Sequence, residues 1–412
     1  MKRIVSMALS ALLLIGCQEY AADAQNRNGG RPAKTGQIDP RLADATNRFG
    51  FNLLARLRAG DSVGSTMISP ASIAMALAMT YNGADGATKE QMASALEVSG
   101  LSLEDLNVAH AALREILTDP NSDITLDIAN SLWARAGMPF DTNFMARNRD
   151  YFAARIENLN FDDPASAGTI NGWVKDKTRN KIPSIVDEID PATILFLINA
   201  IYFKGTWTYQ FEPKSSYDGA FHHPSGDKTR KFMFQEDDYD YLDREGFEAI
   251  RIPYGKSQRF AMYVFLPDEE STVAEFAAGL SPDRWKEWTS SFVNRNGQLR
   301  LPRFTLTYDE QLNTALQDLG MPEAFDPMRA DFSQMISVPG ANAYISKVKH
   351  KTFMEVNEEG TEVAAVTSVE VGITSIGPDG KFVMTVDRPF FCAIADKESG
   401  LILFMGTVSE YE

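Results

Sequence analysis

The chain is poor in the residues that most often announce a mechanism. Its 412 residues include two cysteines, Cys17 and Cys392, and four histidines, His110, His222, His223 and His350. Two thiols cannot build a disulfide scaffold or a four-thiolate zinc site, and four histidines leave little for a metal centre. Neither a metal site nor a cofactor is expected. Positive charge is also scarce, with 40 Lys+Arg against 56 Asp+Glu and a net charge of -16. Nucleic-acid binding needs clustered Lys and Arg, so that partner is excluded. Nucleophile-elbow (G-x-S-x-G) and zinc-protease (H-E-x-x-H) patterns are absent. Gly255-Lys256-Ser257 ends like a phosphate loop, but Ile250 stands where its first glycine belongs and Pro253 interrupts it. A catalytic triad can assemble from distant positions, yet nothing local supports one, so the chain is expected not to be an enzyme.

What is present begins with an export signal. Lys2 and Arg3 precede a mostly apolar run, Ile4 to Ile15, too short to span a bilayer comfortably. It ends in Leu14-Ile15-Gly16-Cys17, which resembles the bacterial lipobox. Residues 1–16 are therefore expected to be removed and Cys17 lipidated, tethering an exported protein to a membrane that faces periplasm or exterior. The alternative is an ordinary signal cut near Ala21–Ala24 and a secreted product. Residues 17–38 are rich in Gln, Asn, Gly, Ala and Arg and read as a flexible tether. About twenty such residues span roughly 25 Å as a random coil.

From 39 to 412 there is no repeat and no linker, so one large domain is expected. Phe49, Leu53, Leu54 and Leu57 fall at helical spacing and predict a helix over 43–58. Ser69-Pro70 opens a second helix, apolar all round from Ile73 to Met79 and so buried, which Asn82-Gly83 stops. Thr88-Lys89-Glu90-Gln91 fits a capping box for a third. Further helices are expected at Leu103–Leu117, Ala167–Arg179 and Asp309–Leu319. Ile194–Phe203 reads as a central strand covered on both faces. Strands are also expected at Phe260–Leu266, Leu299–Thr307, Phe382–Val386, Phe390–Ala395 and Leu401–Val408. Helices dominate the first half and strands the second, which argues α+β. His110 reads as a surface residue, His222-His223 as a solvated loop pair, and His350 as a structural hydrogen-bonding histidine.

One segment is unusual. From 361, alternate residues are Thr361, Val363, Ala365, Thr367, Val369 and Val371, all small and uncharged. The other set, Glu362 to Gly372, holds both charges. That is the period of a strand with one buried and one wet face. From 372 to 380 the composition becomes that of a loop.

The chain resembles the serpin family over essentially all of 40–412. Ser69 to Met79, with Tyr81, Gly83-Ala84, Gly86, Thr88 and Gln91-Met92, resembles the family's buried helix and following turn. Asn199 to Trp207, with Phe211, resembles the main-sheet strand and its tryptophan. Val356-Asn357-Glu358-Glu359-Gly360-Thr361-Glu362 resembles the hinge of the reactive-centre loop, and Asp387-Arg388-Pro389-Phe390 the segment after it. The resemblance implies a serpin fold, α+β, with about nine helices, three sheets and an exposed reactive-centre loop at about 358–381.

It also implies a suicide substrate that forms a covalent complex with a serine, or sometimes cysteine, endopeptidase. The cleaved loop would enter the main sheet as a strand and trap the acyl-enzyme. Its inward face carries no charge that would need desolvation. Ten or so new ladder bonds give on the order of 10 kcal/mol, consistent with a metastable native state. On the family pattern the hinge is Glu358, Gly360, Thr361, Val363, Ala364 and Ala365. Shutter and breach positions are Ser69, Ser72, Asn199, Trp207 and His350. The scissile bond is expected at Thr374-Ser375, with alternatives involving Ile373 or Ile376. No Lys or Arg occurs from 360 to 380, so elastase- or subtilisin-like targets are expected rather than trypsin-like ones. Val363 and Val366 replace hinge alanines usual in inhibitory members, which leaves open a non-inhibitory binding or chaperone role. The protein is expected to be a monomer.

Overall fold

The structure is a computed structural model that describes residues 38–59, 64–118, 124–190, 193–336, 343–361 and 381–411. Helix α1 (Pro40–Arg58) starts earlier than its apolar spacing suggested, because Asp39 caps it and Pro40 fits its first turn. Helix α2 (Pro70–Tyr81) is buried along almost its whole length, as its lack of a polar face requires. Ser69 caps it, its Oγ accepting from the Ser72 N–H at 3.3 Å. Helices α3 (Gly86–Ala95), α4 (Leu103–Leu117), α5 (Thr142–Phe152) and α6 (Ala165–Lys177) follow in the first half. The second half holds α7 (Val273–Ala278), α8 (Pro282–Thr289) and α9 (Asn313–Asp318). The described residues thus carry nine α-helices.

The main sheet has six strands. In spatial order they are β10 (Phe304–Gln311), β11 (Lys349–Val356), β12 (Gly360–Thr361), β4 (Leu195–Thr206), β2 (Ile124–Arg135) and β3 (Arg155–Leu159). The remaining strands form two further sheets joined through β6 (Lys228–Arg244). One runs β1 (Thr66–Ile68), β15 (Ile402–Val408), β14 (Phe390–Asp396), β8 (Phe260–Pro267), β7 (Phe247–Pro253) and β6. The other is small: β5 (Tyr217–Phe221), β6, β9 (Val293–Pro302) and β13 (Phe382–Thr385). Strand β6 serves both because it is 17 residues long, pairing with β7 through 240–244 and with β9 through 232–241. The α+β serpin fold in one domain is what the sequence implied.

Several expectations need correction. The strand over 299–307 is two strands, β9 and β10, broken at Arg303 and belonging to different sheets. The helix over 309–319 is only α9, because Asp309–Gln311 continue β10 against Lys349–Lys351. Thr88 is no cap. Asp85 starts α3 instead, and the Thr88 hydroxyl accepts from the Asp331 N–H at 2.9 Å. His110 is buried against Phe152, with ring centroids 5.4 Å apart. His223 is buried while its neighbour His222 is exposed. Strand β4 is only half-covered at its start, for a reason that lies in the main sheet's centre.

Candidate functional site

Strand β4 pairs with β2 from Leu195 to Gly205 on one edge. On its other edge the only ladder partners among the described residues are Gly360 and Thr361, opposite Thr206 and Gly205. Strand β11 pairs with β10 from Lys349 to Val356. Facing β4, only its Val356 has a partner, Thr361 again. A two-residue strand therefore holds the top of a seam whose two edges run on below it. Strand edges without a partner among the described residues are of the kind that can template an extended chain. A cavity of about 200 Å³ lies in the seam, bordered by Leu197 and Asn199 on one side, His350 on the other, and Ser72, Ile73 and Ala76 of α2 beneath. A second of about 110 Å³ continues it between 194–197 and 343–348.

At the top of the seam, buried rings hold the hinge. Trp207 stacks on Tyr254 with centroids 4.5 Å apart and planes 11° from parallel. Its Nε1–H donates to the Asn357 carbonyl at 2.9 Å and its backbone N–H to the Glu359 carbonyl at 2.9 Å. Tyr254 Oη and Thr361 Oγ1 share a hydrogen bond of 2.7 Å. Glu358 is 3 % exposed, yet carries a carboxylate. Arg303 Nε donates to its two oxygens at 2.9 and 2.6 Å, and the Ser216 hydroxyl donates as well. Gly360 has no room for a side chain, since a Cβ would stand 2.0 Å from the Gly205 carbonyl oxygen and 2.8 Å from Thr206 Cα. The chain can turn back into the sheet there only as glycine.

Midway down, a polar chain crosses the seam. The Ser69 N–H donates to His350 Nε2 at 3.1 Å. The Ser72 hydroxyl donates to Asn199 Oδ1. Asn199 Nδ2 donates to Asn130 Oδ1 at 2.7 Å, and Asn130 Nδ2 to the Phe152 carbonyl at 2.7 Å. Burial pushes His350 down to about 4, which matches an Nε2 that accepts and so carries no proton.

The structure thus brings Ser69, Ser72, Asn199 and His350 together, and places Trp207, Glu358, Gly360 and Thr361 in a second group. Val363, Ala364, Ala365, Ile373, Thr374, Ser375, Ile376 and Cys17 lie outside the described residues, as do the proposed signal and nearly all of the tether. Sequence reasoning missed Tyr254, Ser216 and Arg303, which come from three separate stretches. It also missed Asn130, although an amide inside the run Ile128–Leu132 was a signal.

With this geometry in hand, likeness to known proteins can be weighed. The family model Serpin (serine protease inhibitor) matches residues 44–411, and the chain belongs to the serpin family. It is similar to Serpin B8 of Homo sapiens, 34 % identical over 379 residues that cover 89 % of this chain and 99 % of the relative. Leukocyte elastase inhibitor of Homo sapiens is 32 % identical over 383 residues, with the same coverage of 89 % and 99 %. Among solved structures, the thermophilic serpin tengpin in its native state matches with a TM-score of 0.83 at 34 % identity, covering 93 % of this chain and 98 % of that one. Tengpin in its latent state matches with a TM-score of 0.79 at 32 % identity, covering 91 % and 99 %. These relatives correct the ground on which enzymes were set aside. That expectation rested on missing motifs, whereas the matching family model and relatives are described as inhibitors of proteases.

Two outcomes follow from the site. A folded-state histidine held near 4, against 6.5 unfolded, binds its proton only below that range, so its stabilisation is full above about pH 6.5 and is lost as pH falls towards 4. Unfolding rates measured from pH 7 to pH 4 should rise by an amount worth up to about 3 kcal/mol for each such group. His110, also near 4 by burial, contributes a second increment, and His350→Gln should remove only its own share. A profile unchanged by His350→Gln would be inconsistent with this. Arg303→Ala leaves the Glu358 carboxylate buried with Ser216 alone. It should lower stability by about 2 kcal/mol in urea unfolding and open the hinge to limited proteolysis, with Arg303→Lys intermediate.

Proposed function

We propose that this chain inhibits serine endopeptidases as a suicide substrate, its cleaved loop entering the seam between β4 and β11. The observation that carries this reading is the pair of facing strand edges held apart at the top by Gly360 and Thr361. The strand that would follow presents Val363, Ala365, Thr367, Val369 and Val371 to the interior, in phase with Thr361, which is already buried. None of these carries a charge, so each can leave water without a partner. The proposed scissile bond is Thr374-Ser375, with Ile373 and Ile376 as neighbouring choices. The lack of Lys and Arg in the loop favours elastase- or subtilisin-like targets, and relatives that are named leukocyte elastase inhibitor support that choice.

Mixing with an elastase-like protease should give a covalent complex on a denaturing gel, and mass spectrometry of the released fragment should end at one of these bonds. Thr361→Arg should be cleaved without trapping, because a charge would enter the seam first. A wild-type chain that is cleaved by a broad panel of proteases without any covalent complex would rule the reading out in favour of a non-inhibitory binding role.

We further propose that Cys17 is lipidated after removal of residues 1–16, so that the inhibitor works from a membrane surface at the periplasm or exterior. The support is the apolar run ending in Gly16-Cys17 and the polar stretch after it. Cys17→Ser should move the protein from the membrane to the soluble fraction. A wild-type protein already soluble would point to simple secretion.

A further inference from the structure

Residues 409–411, which follow β15, meet the chain where β9 gives way to β10. They are held firmly for so short a segment. Ser65 Oγ accepts from the N–H groups of Ser409 and Glu410, both at 2.9 Å, and its hydroxyl donates to the Glu410 carbonyl at 2.6 Å. Lys228 Nζ donates to the Glu410 carboxylate at 3.2 Å. Arg230 lays its guanidinium over the Tyr411 ring, 4.8 Å from the centroid, and donates to the Tyr411 carbonyl at 2.6 Å. The ring is buried and meets Phe221 and Phe304 edge-on, with centroids 5.1 and 5.8 Å away. Phe304 is the first residue of β10, lies opposite Val356, and follows Arg303, whose Nε reaches Glu358. The Arg303 N–H in turn donates to the Lys231 carbonyl at 2.8 Å. Neighbouring residues of β6 thus grip the break twice, Lys231 directly and Arg230 through Tyr411.

We propose that Tyr411 is a positioning residue for the turn at Gly360, its ring setting the start of β10 so that Arg303 reaches Glu358. It acts through Phe304. That side chain is 1 % exposed and is met by two rings, Tyr411 and Phe390, the second with its centroid 5.7 Å away. Edge-on ring contacts fix a side chain's place as well as burying it. An interior packed this closely passes a displacement on to the next residue. A Phe304 free to move into the space of a missing ring therefore takes Arg303 with it. The Arg303 Nε bonds to Glu358, at 2.9 and 2.6 Å, are short and charge-assisted, and such bonds weaken steeply as their geometry opens. A plain core role would spread the loss of Tyr411 over the whole fold, whereas this arrangement aims it at one ion pair. The proposal concerns the uncleaved fold, so it goes beyond the inhibitory reading and does not need that reading to hold.

The test is amide hydrogen exchange of the full chain, read by mass spectrometry at residues 357–361 and, as an internal reference, along the paired strands β2 and β4. It compares wild type, Tyr411→Phe, Tyr411→Ala, Arg303→Ala and the double variant. Tyr411→Ala should speed exchange at 357–361 about tenfold while the β2–β4 reference moves less than twofold. Tyr411→Phe keeps the ring and should match wild type. Arg303→Ala should speed the same amides, and adding Tyr411→Ala to it should change them less than twofold, because the contact through which the ring acts is already gone. Exchange at 357–361 that is unchanged in Tyr411→Ala, or that rises only in step with the reference, would overturn the proposal. So would a double variant in which the two effects multiply. Arg230→Gln frees the Tyr411 carbonyl and leaves the core rings in place, so it decides the matter if Tyr411→Ala does not fold. An increase of about threefold that vanishes in Arg303→Ala upholds the role, and no increase refutes it.

Discussion

The rest of the structure is arranged around two strand edges that, among the described residues, are joined only through Gly360 and Thr361. A backbone N–H or carbonyl in a sheet is satisfied by its neighbour, and a seam that forgoes several such bonds sacrifices stability. Among the described residues, the ladder between β4 and β11 is made at Gly205, Thr206 and Val356, through Gly360 and Thr361. Everything nearby limits how the seam can relax. A wholly buried helix lies beneath it, a stacked pair of rings holds its top, and a file of polar side chains ties its middle.

The two clamps differ in chemistry, and this separates their roles. Around Gly360 the main polar contact is ionic: a buried carboxylate whose two oxygens both accept from Arg303 Nε, and which also accepts from a hydroxyl. Such an arrangement tolerates little substitution, because either partner alone is left uncompensated. At the shutter every partner is neutral. Ser69, Ser72, Asn130, Asn199 and His350 exchange hydrogen bonds of ordinary strength, each of which can be replaced by another of similar worth.

Much of this was legible in the sequence, and the gaps have physical causes. The buried helix announced itself through Ser69-Pro70 and a run with no polar face. The alternation that begins at Thr361 falls, beyond that residue, outside the described residues. The break at Arg303 was readable in principle, because the alternation of Leu299 and Leu301 slips by one residue to Phe304 and Leu306 there. What ends β9 is tertiary: the Arg303 N–H donates to the Lys231 carbonyl and its side chain turns to Glu358. Ser216 and Tyr254 meet the hinge from distant stretches, so no local pattern could name them. His110 read as a surface residue because one imidazole in an amphipathic helix looks solvated until Phe152 is seen to cover it. Asn130 was readable in principle, as a lone amide in an apolar strand directly opposite Asn199.

The first turn of the buried helix bonds to both sides of the seam. Its Ser69 N–H holds His350 on β11, and its Ser72 hydroxyl holds Asn199 on β4. Asn199 in turn is fastened to Asn130 on β2, so β2 and β4 travel as one plate and β10 and β11 as another. The helix start is thus the axle between two plates. Parting them by a strand's width cannot leave both fastenings intact, so one must act as a mechanical fuse. Each fastening is a single bond between neutral groups, Ser69 to His350 on one side and Ser72 to Asn199 on the other.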